Sequence, residues 1–245
     1  MEFKSNQKIV LAALALSGAA FAQTKAPEPD YTLSYNVGAV TDYRYRGISQ
    51  SRLKPALQGG ADFAHKSGFY LGTWASTIKW IKDAGGDAPI EWDIYGGYKG
   101  SFGTLGYDVG VLRYQYPSHE LAVSPNTTEI YGAASFGVAT LKYSHAVTNL
   151  FGFAGSKNSY YLDASATFDL GNGWSVVPHA GYQKVKNFDP ASYTDYSVTV
   201  AKDFGNGMSA SGAVVGTDAD DTLYFTPAGK FTGKTGVVLG LKYSF

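Results

Sequence analysis

The chain has 245 residues, and its 20 Lys and Arg residues balance its 20 Asp and Glu residues. Charged residues make up only 16% of the chain, against about 25% in typical soluble domains. This balance offers no basic surface for nucleic acid, and the lack of cysteine argues against a disulfide-stapled secreted module.

The N-terminus has the three parts of a secretory signal peptide. Lys4 and Lys8 give a positive start, residues 9–20 are apolar, and Ala20-Phe21-Ala22 is a small-x-small cleavage site. A retained membrane anchor is the alternative, but the apolar stretch is shorter than the roughly 20 residues that a spanning helix needs. We therefore expect export and cleavage after Ala22.

Alternation of side-chain type dominates the rest of the sequence. In 31–46 the odd positions are mostly apolar, and the even positions are mostly polar or small. Because successive strand side chains point to opposite faces, this pattern predicts a strand with one apolar and one polar face. Twelve segments show it: 31–46, 55–66, 69–78, 90–100, 104–116, 127–136, 138–148, 158–170, 174–186, 193–204, 208–217 and 235–245.

The connections between these segments alternate in length. Tight, glycine-bearing turns follow the even-numbered segments, at 66–68, 100–103, 136–137, 171–173 and 205–207. Longer polar connections follow the odd-numbered ones, as at 79–89, 117–126, 149–157 and 218–234. No helical period supplies a crossover, so we predict an antiparallel up-and-down sheet.

An even strand count, short turns on one side and long loops on the other are typical of an outer-membrane β-barrel. A soluble β-sandwich or lipocalin-like barrel also alternates, but so many apolar positions would overfill a small lumen. Aromatic residues gather at both strand ends, as in membrane-interface girdles. One set flanks the tight turns (Phe63, Phe69, Phe136, Phe168, Trp174, Phe204), and the other flanks the long loops (Tyr43, Tyr45, Trp92, Tyr143, Tyr160).

The predicted organisation is a signal peptide at 1–22, a short periplasmic segment at 23–30 and a transmembrane barrel at 31–245. The end of the chain supports it. Gly240, Tyr243 and the terminal Phe245 resemble the C-terminal signal that outer-membrane proteins present to the barrel assembly machinery, although Val238 stands where that signal usually has a polar residue.

Four stretches resemble the TorF-type porin family. The most specific is residues 40–49 (VTDYRYRGIS), followed by 67–76 (SGFYLGTWAS), 107–110 (YDVG) and 114–117 (YQYP). The similarity covers essentially the whole mature chain. It implies an outer-membrane barrel that acts as a porin, and it provides no catalytic or binding residues to transfer.

Charged residues on the polar face are the candidate lumen residues. With the N-terminus in the periplasm, Asp42, Arg44 and Arg46 are expected on the inner wall near the outer mouth, with Arg52 and Lys54 in the adjoining loop. The same parity places further charges inside: Asp62, Glu91, Asp93, Lys99, Asp108, Glu129, Lys142, Asp163, Asp169 and Asp195. Such charges can set ion selectivity; alternatively, they solvate the wall or pair and plug the lumen.

An enzyme acting on lipid is the rival class, since some outer-membrane barrels modify lipids. Adjacent Ser144 and His145 point to opposite faces and cannot form a dyad, whereas His179 and Ser175 share the lumen side. Coincidences of this kind are common in a chain of this composition, so we predict no catalytic residues.

Carboxylates in the last long loop raise the question of a metal. Asp218, Asp220 and Asp221 could offer oxygen ligands to Ca²⁺, but their spacing is not that of an EF-hand. A solvated loop is the favoured interpretation. We predict neither a metal nor a cofactor.

Together these features predict an outer-membrane channel for passive diffusion of small solutes or ions. The alternatives are a lipid-modifying barrel enzyme and a plugged structural or adhesion barrel. The expected partners are outer-membrane lipid and lipopolysaccharide, the barrel assembly machinery and small solutes, but not nucleic acid. Substrate, open state, ion selectivity and oligomer are left open.

Overall fold

The protein is described by a computed structural model over residues 29–245. The predicted signal peptide and most of the 23–30 segment therefore lie outside the described residues. Within them, almost all regular structure is β-strand. Twelve strands form the barrel: β1 (Tyr31–Val40), β2 (Ala56–His65), β3 (Phe69–Thr77), β4 (Ile90–Phe102), β5 (Leu105–Gln115), β6 (Thr127–Phe136), β7 (Ala139–Ala146), β8 (Tyr160–Ala166 and Phe168–Gly171), β9 (Trp174–Lys184), β10 (Tyr193–Asp203), β11 (Met208–Thr217) and β12 (Gly236–Ser244).

Each strand pairs antiparallel with its neighbour in sequence, and β12 pairs with β1, so the sheet is closed. At this closing seam Ala39 lies opposite Leu241, and Val40 lies opposite Gly240. The predicted antiparallel up-and-down barrel of about twelve strands is confirmed. Closure matters because it leaves no strand edge with unpaired backbone groups.

The barrel has a turn end and a loop end. Tight turns close one end, such as Gly171-Asn172-Gly173, where all three residues have a positive φ that glycine and asparagine tolerate best. The long connections all lie at the other end and span residues 41–55, 78–89, 116–126, 147–159, 185–192 and 218–235. They contain a short helix, α1 (Trp80–Asp83), and a 3₁₀ turn at Asp189–Ala191.

The outer face of the barrel is apolar, as the alternation predicts. Leu57 is 68% exposed and Val237 is 66% exposed, although both are aliphatic. Exposed aromatic side chains mark both ends of this face, with Phe69 and Phe136 beside tight turns and Trp92 at the loop end. Among the described residues, no helix is long and apolar enough to cross a membrane.

The buried core lies inside the loop end of the barrel. The large side chains of its largest cluster are those of Tyr43, Ile78, Ile81, Tyr114 and Tyr116. These residues come from two long connections, from the end of β5 and from the connection that follows it, so the interior is filled by chain that leaves the barrel wall.

Candidate functional site

The segment after β1 folds into the barrel instead of extending its wall. The predicted strand over 31–46 is wrong at its end, since β1 stops at Val40 and residues 41–55 form an inward loop, which we call L1. Two-residue strands at Arg44–Tyr45 and Ile48–Ser49 make a small hairpin within it. Positive φ at Arg46 and Gly47 turns this hairpin.

Asp42 fixes the start of L1. Its carboxylate accepts hydrogen bonds from the hydroxyls of Ser49 (2.5 Å) and Ser51 (3.1 Å) and from Arg44 Nε (2.5 Å). Three local donors on one carboxylate compete with continuation of the strand. Asp42 and Arg44 therefore lie inside the barrel on L1, and not on the inner wall where strand parity placed them.

Arg46 joins L1 to the opposite wall. Its guanidinium donates to both carboxylate oxygens of Glu129 on β6, at 3.0 and 2.7 Å, and to Gln183 Oε1 on β9 at 2.6 Å. It also lies over the rings of Tyr161 (4.2 Å) and Tyr45 (4.8 Å). The pair is buried, and such fork-to-fork contacts are among the strongest side-chain interactions.

Arg44 connects L1 to the last long connection. Its guanidinium donates to the backbone carbonyls of Gly47 (2.9 Å), Thr232 (3.0 Å) and Lys234 (3.1 Å). With the Asp42 pair, these bonds engage every nitrogen of the group. Neither Arg44 nor Arg46 thus presents an unpaired charge to the lumen.

The two L1 tyrosines are lumen residues and not part of the aromatic girdle, which corrects the sequence-based assignment of Tyr43 and Tyr45. The Tyr43 hydroxyl donates to Glu91 Oε1 at 2.5 Å, and the hydroxyls of Tyr45 and Tyr114 lie 2.5 Å apart. Glu91 receives a second hydroxyl from Tyr116 at 2.6 Å. L1 therefore makes side-chain bonds around much of the barrel circumference.

Two cavities lie against L1. A chamber of about 430 Å³ touches Arg46, Lys142, Asp163 and His179 on the turn-end side of L1. A vestibule of about 400 Å³ lies among the long connections, with Ile48, Ser49 and Gln50 of L1 in its lining. Tyr45 borders both cavities, so L1 forms the partition between them.

The chamber holds a histidine between two carboxylates. His179 Nε2 lies 2.8 Å from Asp163, and its Nδ1 lies 3.7 Å from Asp195. Asp195 also accepts the Tyr161 hydroxyl at 2.8 Å. Asp163, His179 and Asp195 all line this chamber.

The remaining predicted charges of the turn-end half also lie inside the barrel. Asp62 accepts the Tyr95 hydroxyl at 2.5 Å, and Asp108 accepts the Tyr70 hydroxyl at 2.6 Å. Lys142 lies over the Tyr131 ring at 4.0 Å. The lining is therefore polar, with carboxylates capped by tyrosines.

Lys99 and Asp93, two further charges predicted for the lumen, lie in different surroundings. Lys99 lies over the Tyr70 ring at 5.7 Å. Asp93 is buried beside Glu91 and Glu129 at the loop end.

Asp169 keeps the inward parity of Asp163 but lies at the turn-end rim of the barrel. The register of β8 with β9 runs unbroken from Ser165 opposite His179 to Asp169 opposite Ser175, and it shifts only after Asp169. The exposed carboxylate accepts the backbone N–H of Gly171 at 2.8 Å. Its role is to close the tight turn.

Among the described residues, serine–histidine contacts occur only outside the lumen: His65 Nδ1 lies 2.8 Å from Ser67 Oγ in an exposed tight turn, and His119 Nε2 lies 3.4 Å from Ser124 Oγ in a long connection. Ser144 is buried in the lumen, whereas His145 lies on the outward face with Tyr143 and Asn158. His179 faces the lumen, but both ring nitrogens are directed at carboxylates. Ser175 is four residues away along β9, about 13 Å at the usual strand rise.

The aspartates of the last connection do not converge. Asp218 accepts the backbone N–H of Thr194 at 2.6 Å, and Asp220 accepts the hydroxyl and the backbone N–H of Thr222. These bonds lower the pKa of Asp220. Across residues 29–245, no three His, Cys, Asp or Glu side chains come together as metal ligands would.

The predicted assembly residues lie at the closing seam. The backbone of Phe245 exchanges two hydrogen bonds with Tyr35 (2.8 and 3.0 Å), and the two rings stack at 5.9 Å. Tyr243 stacks on Phe245 at 5.8 Å, and Gly240 pairs with Val40. The last residues of the chain thus complete the contact that closes the barrel.

Sequence reasoning missed the partners of L1. Tyr114, Tyr161 and Gln183 all face the lumen and contact L1, and the sequence around them does not predict this contact. Their inward parity was readable, but nothing local shows that L1 would reach them. The only local signal was the Arg46-Gly47 step, where glycine permits a turn within an otherwise alternating stretch.

A closed antiparallel sheet with an apolar outer face and a polar, loop-filled interior defines a β-barrel of the outer-membrane type. The chain belongs to the bacterial family described as "Bacterial protein of unknown function (Gcw_chp)", whose sequence profile matches residues 24–245. No curated protein matches the sequence.

Several solved outer-membrane barrels have a similar structure. KdgM porin gives a TM-score of 0.57 at 10% identity, with 86% of this chain and 99% of that chain covered. NanC porin gives 0.54 at 10% identity, with 87% and 99% covered. The COG4313 outer membrane channel from Pseudomonas putida F1 gives 0.51 at 12% identity, with 91% and 99% covered. At these identities the likeness shows the fold alone, which is that of outer-membrane porins and channels.

Proposed function

We propose that this protein is a porin-like channel of the bacterial outer membrane, through which small solutes or ions diffuse passively. The observation that carries the proposal is the interior: a closed barrel with a polar, charged lining and cavities on both sides of L1. A wall that merely enclosed a core would carry apolar side chains inside.

The proposal includes a location and an orientation. The apolar outer face with aromatic residues at both ends suits a bilayer. The resemblance to the TorF-type porins and the fold shared with KdgM and NanC porins favour the same location. We infer that the signal peptide is removed after Ala22, that the assembly machinery reads Gly240, Tyr243 and Phe245, and that the loop end faces outward toward lipopolysaccharide.

L1 sets the size and charge of the solutes that can pass. A structure of KdgM porin in complex with disordered oligogalacturonate indicates that a barrel of this fold can hold an acidic sugar chain. In this chain Arg44 and Arg46 are already paired with carboxylates. A long polyanion would meet no free guanidinium at L1, so small solutes are favoured.

A plugged structural barrel is the second candidate, and the packing of L1 is the observation that favours it. Arg44, Arg46, Tyr43 and Tyr45 all bond the wall or another loop. An enzyme is not proposed, because the described lumen presents no histidine with a free nitrogen next to a serine.

Single-channel recording decides between the two candidates. The refolded mature protein is added to a planar phospholipid bilayer in KCl, and insertion is checked by heat-modifiable gel mobility. Discrete open steps support the channel. Inserted, folded protein that stays silent at every voltage would overturn the channel and support the plugged barrel.

A further inference from the structure

The vestibule has an apolar lining outside the barrel wall. Leu223 and Phe225 are 38% and 51% exposed, although both lie in the 218–235 connection and not on the bilayer-facing strands. Apolar side chains exposed together away from lipid usually mark a binding surface. The apolar lining is formed mainly by six residues: Leu150, Phe151, Phe153, Val185, Leu223 and Phe225.

The charge of the lining is cancelled. Among residues 29–245, Asp83 is the only charged side chain that lines the vestibule, and it is ion-paired with Arg52 of L1. A charged ligand would lose its hydration there without gaining a counter-ion, which is costly. The lining therefore favours an uncharged ligand.

Few polar groups of the lining are free to bind a ligand. The hydroxyls of Tyr45, Tyr116 and Tyr224 bond Tyr114, Glu91 and the Ala191 carbonyl, respectively. These side chains thus offer ring surface and not hydrogen bonds to the cavity. A sugar, which needs many polar partners, is poorly matched to such a lining.

Tyr193 is the exception among the vestibule tyrosines. It is 7% exposed, it lines the vestibule, and its ring packs edge-on against Tyr224 at 5.4 Å. Within residues 29–245 its hydroxyl takes part in no hydrogen bond. Its phenol is thus a free donor and acceptor at the border of an apolar cavity. The indole N–H of Trp80, in the same lining, also has no partner among the described residues.

We infer that the vestibule binds a small uncharged aromatic alcohol or phenol, with its ring against the apolar lining and its hydroxyl bonded to Tyr193. The volume of about 400 Å³ lies within the range of small-molecule sites, about 300–1,000 Å³. The inference rests on the proposed function in one respect: if the protein is a channel, the bound compound is one of its solutes. Binding itself requires no conduction.

Fluorine NMR of a probe measures binding directly. The protein is placed in phospholipid nanodiscs, because detergent would compete for an apolar site. The probe 2-(4-fluorophenyl)ethanol is then titrated against nanodiscs with the protein and against empty nanodiscs. Saturable line broadening is expected with the protein and not with empty discs. 4-Fluorophenylacetate, the charged counterpart, and 6-deoxy-6-fluoroglucose are expected to give none.

Three variants locate the site. Tyr193→Phe removes one hydroxyl and should weaken binding roughly two- to tenfold, the value of one hydrogen bond. Ala84→Trp, at the vestibule border, should fill the cavity and abolish saturable broadening. Phe102→Ala is the matched control, since Phe102 lies at the turn end and is highly exposed, and it should bind as the native protein does.

The results separate this inference from the proposed function. No saturable binding by folded native protein, equal binding by Ala84→Trp, or equal binding of the anion or the sugar would each overturn the aromatic-alcohol site. A barrel that binds the alcohol but never conducts would support the binding site and contradict the channel function. A barrel that conducts without binding the alcohol would support the channel function and contradict the binding site.

Discussion

Arg46 and Glu129 form a buried bidentate ion pair, with nitrogen–oxygen distances of 2.7 and 3.0 Å, although 83 residues separate them in sequence. One partner lies on L1 and the other on β6. The pair therefore fixes L1, which separates the vestibule from the chamber, to the barrel wall.

Breaking this pair should loosen L1 and enlarge the channel. Removing one partner of a buried ion pair costs about 3–5 kcal/mol, because the other charge is left uncompensated. We expect Arg46→Ala to raise single-channel conductance and to make L1 more sensitive to protease added at the loop end.

The matched control for this prediction is Lys66→Ala. Lys66 pairs with Asp30 at the turn end, where both side chains are exposed, so its loss should cost about 0–1 kcal/mol and leave conductance unchanged. Native conductance and native protease resistance in Arg46→Ala would show that the pair does not hold L1.

The barrel wall could be predicted from the sequence because its signal is local. Alternation with a period of two follows from strand geometry and from lipid on one side of the wall, so each strand carries its own evidence. The predicted boundaries of 69–78 and 127–136 agree with β3 and β6 to within one residue.

L1 could not be predicted in this way because its structure depends on distant partners. Tyr43 and Tyr45 continue the odd-position pattern of β1, so they look like girdle residues. Their actual partners are Glu91 and Tyr114, 48 and 69 residues away. Periodicity carries no information on which inward side chain a loop will meet.

Export should remove the first 22 residues. Ala20-Phe21-Ala22 follows an apolar stretch of the length of a signal peptide. The intact mass of the membrane-extracted protein should correspond to a chain that starts at Gln23, and Ala22→Arg should delay or shift cleavage. A mass that retains Met1 in the exported protein would contradict this prediction.

Deletion of Phe245 should impair barrel assembly. The residue provides two backbone hydrogen bonds to Tyr35, each worth about 1 kcal/mol, and two stacking contacts at the seam. We expect less of the compact, heat-modifiable form in membranes. Phe136→Ala, which removes an exposed aromatic from a tight turn, is the control, and equal amounts of compact protein in both variants would argue against an assembly role.

The long connections should face the cell exterior. Gly85 lies in the 78–89 connection, and a β-carbon added there would have no atom within 4 Å, so an epitope tag should be tolerated. Asn206 lies in a tight turn at the opposite end. Antibody should label the Gly85 tag on intact cells and the Asn206 tag only after the outer membrane is opened; the reverse pattern would invert the topology.

The L1 arginines should influence ion selectivity through the carboxylates they neutralise. Arg44 pairs with Asp42, and Arg46 pairs with Glu129. Removing both guanidinium groups leaves two carboxylates uncompensated beside the path. In partly buried surroundings such charges interact at about 4 kcal/mol, against about 1 kcal/mol in water. The Arg44→Ser, Arg46→Ser double variant should therefore shift the zero-current potential in a KCl gradient toward cation preference.

The reciprocal variant tests the sign of this effect. Glu129→Gln leaves Arg46 as the uncompensated charge, so its zero-current potential should move toward anion preference. Both shifts should shrink between 0.1 M and 1 M salt, because the screening length falls from about 10 Å to about 3 Å, and Lys66→Ser at the turn end should show neither. Shifts of the same sign in both charge variants would contradict this explanation of selectivity. Native potentials in variants that insert and conduct would place Arg46 and Glu129 outside the conducting path.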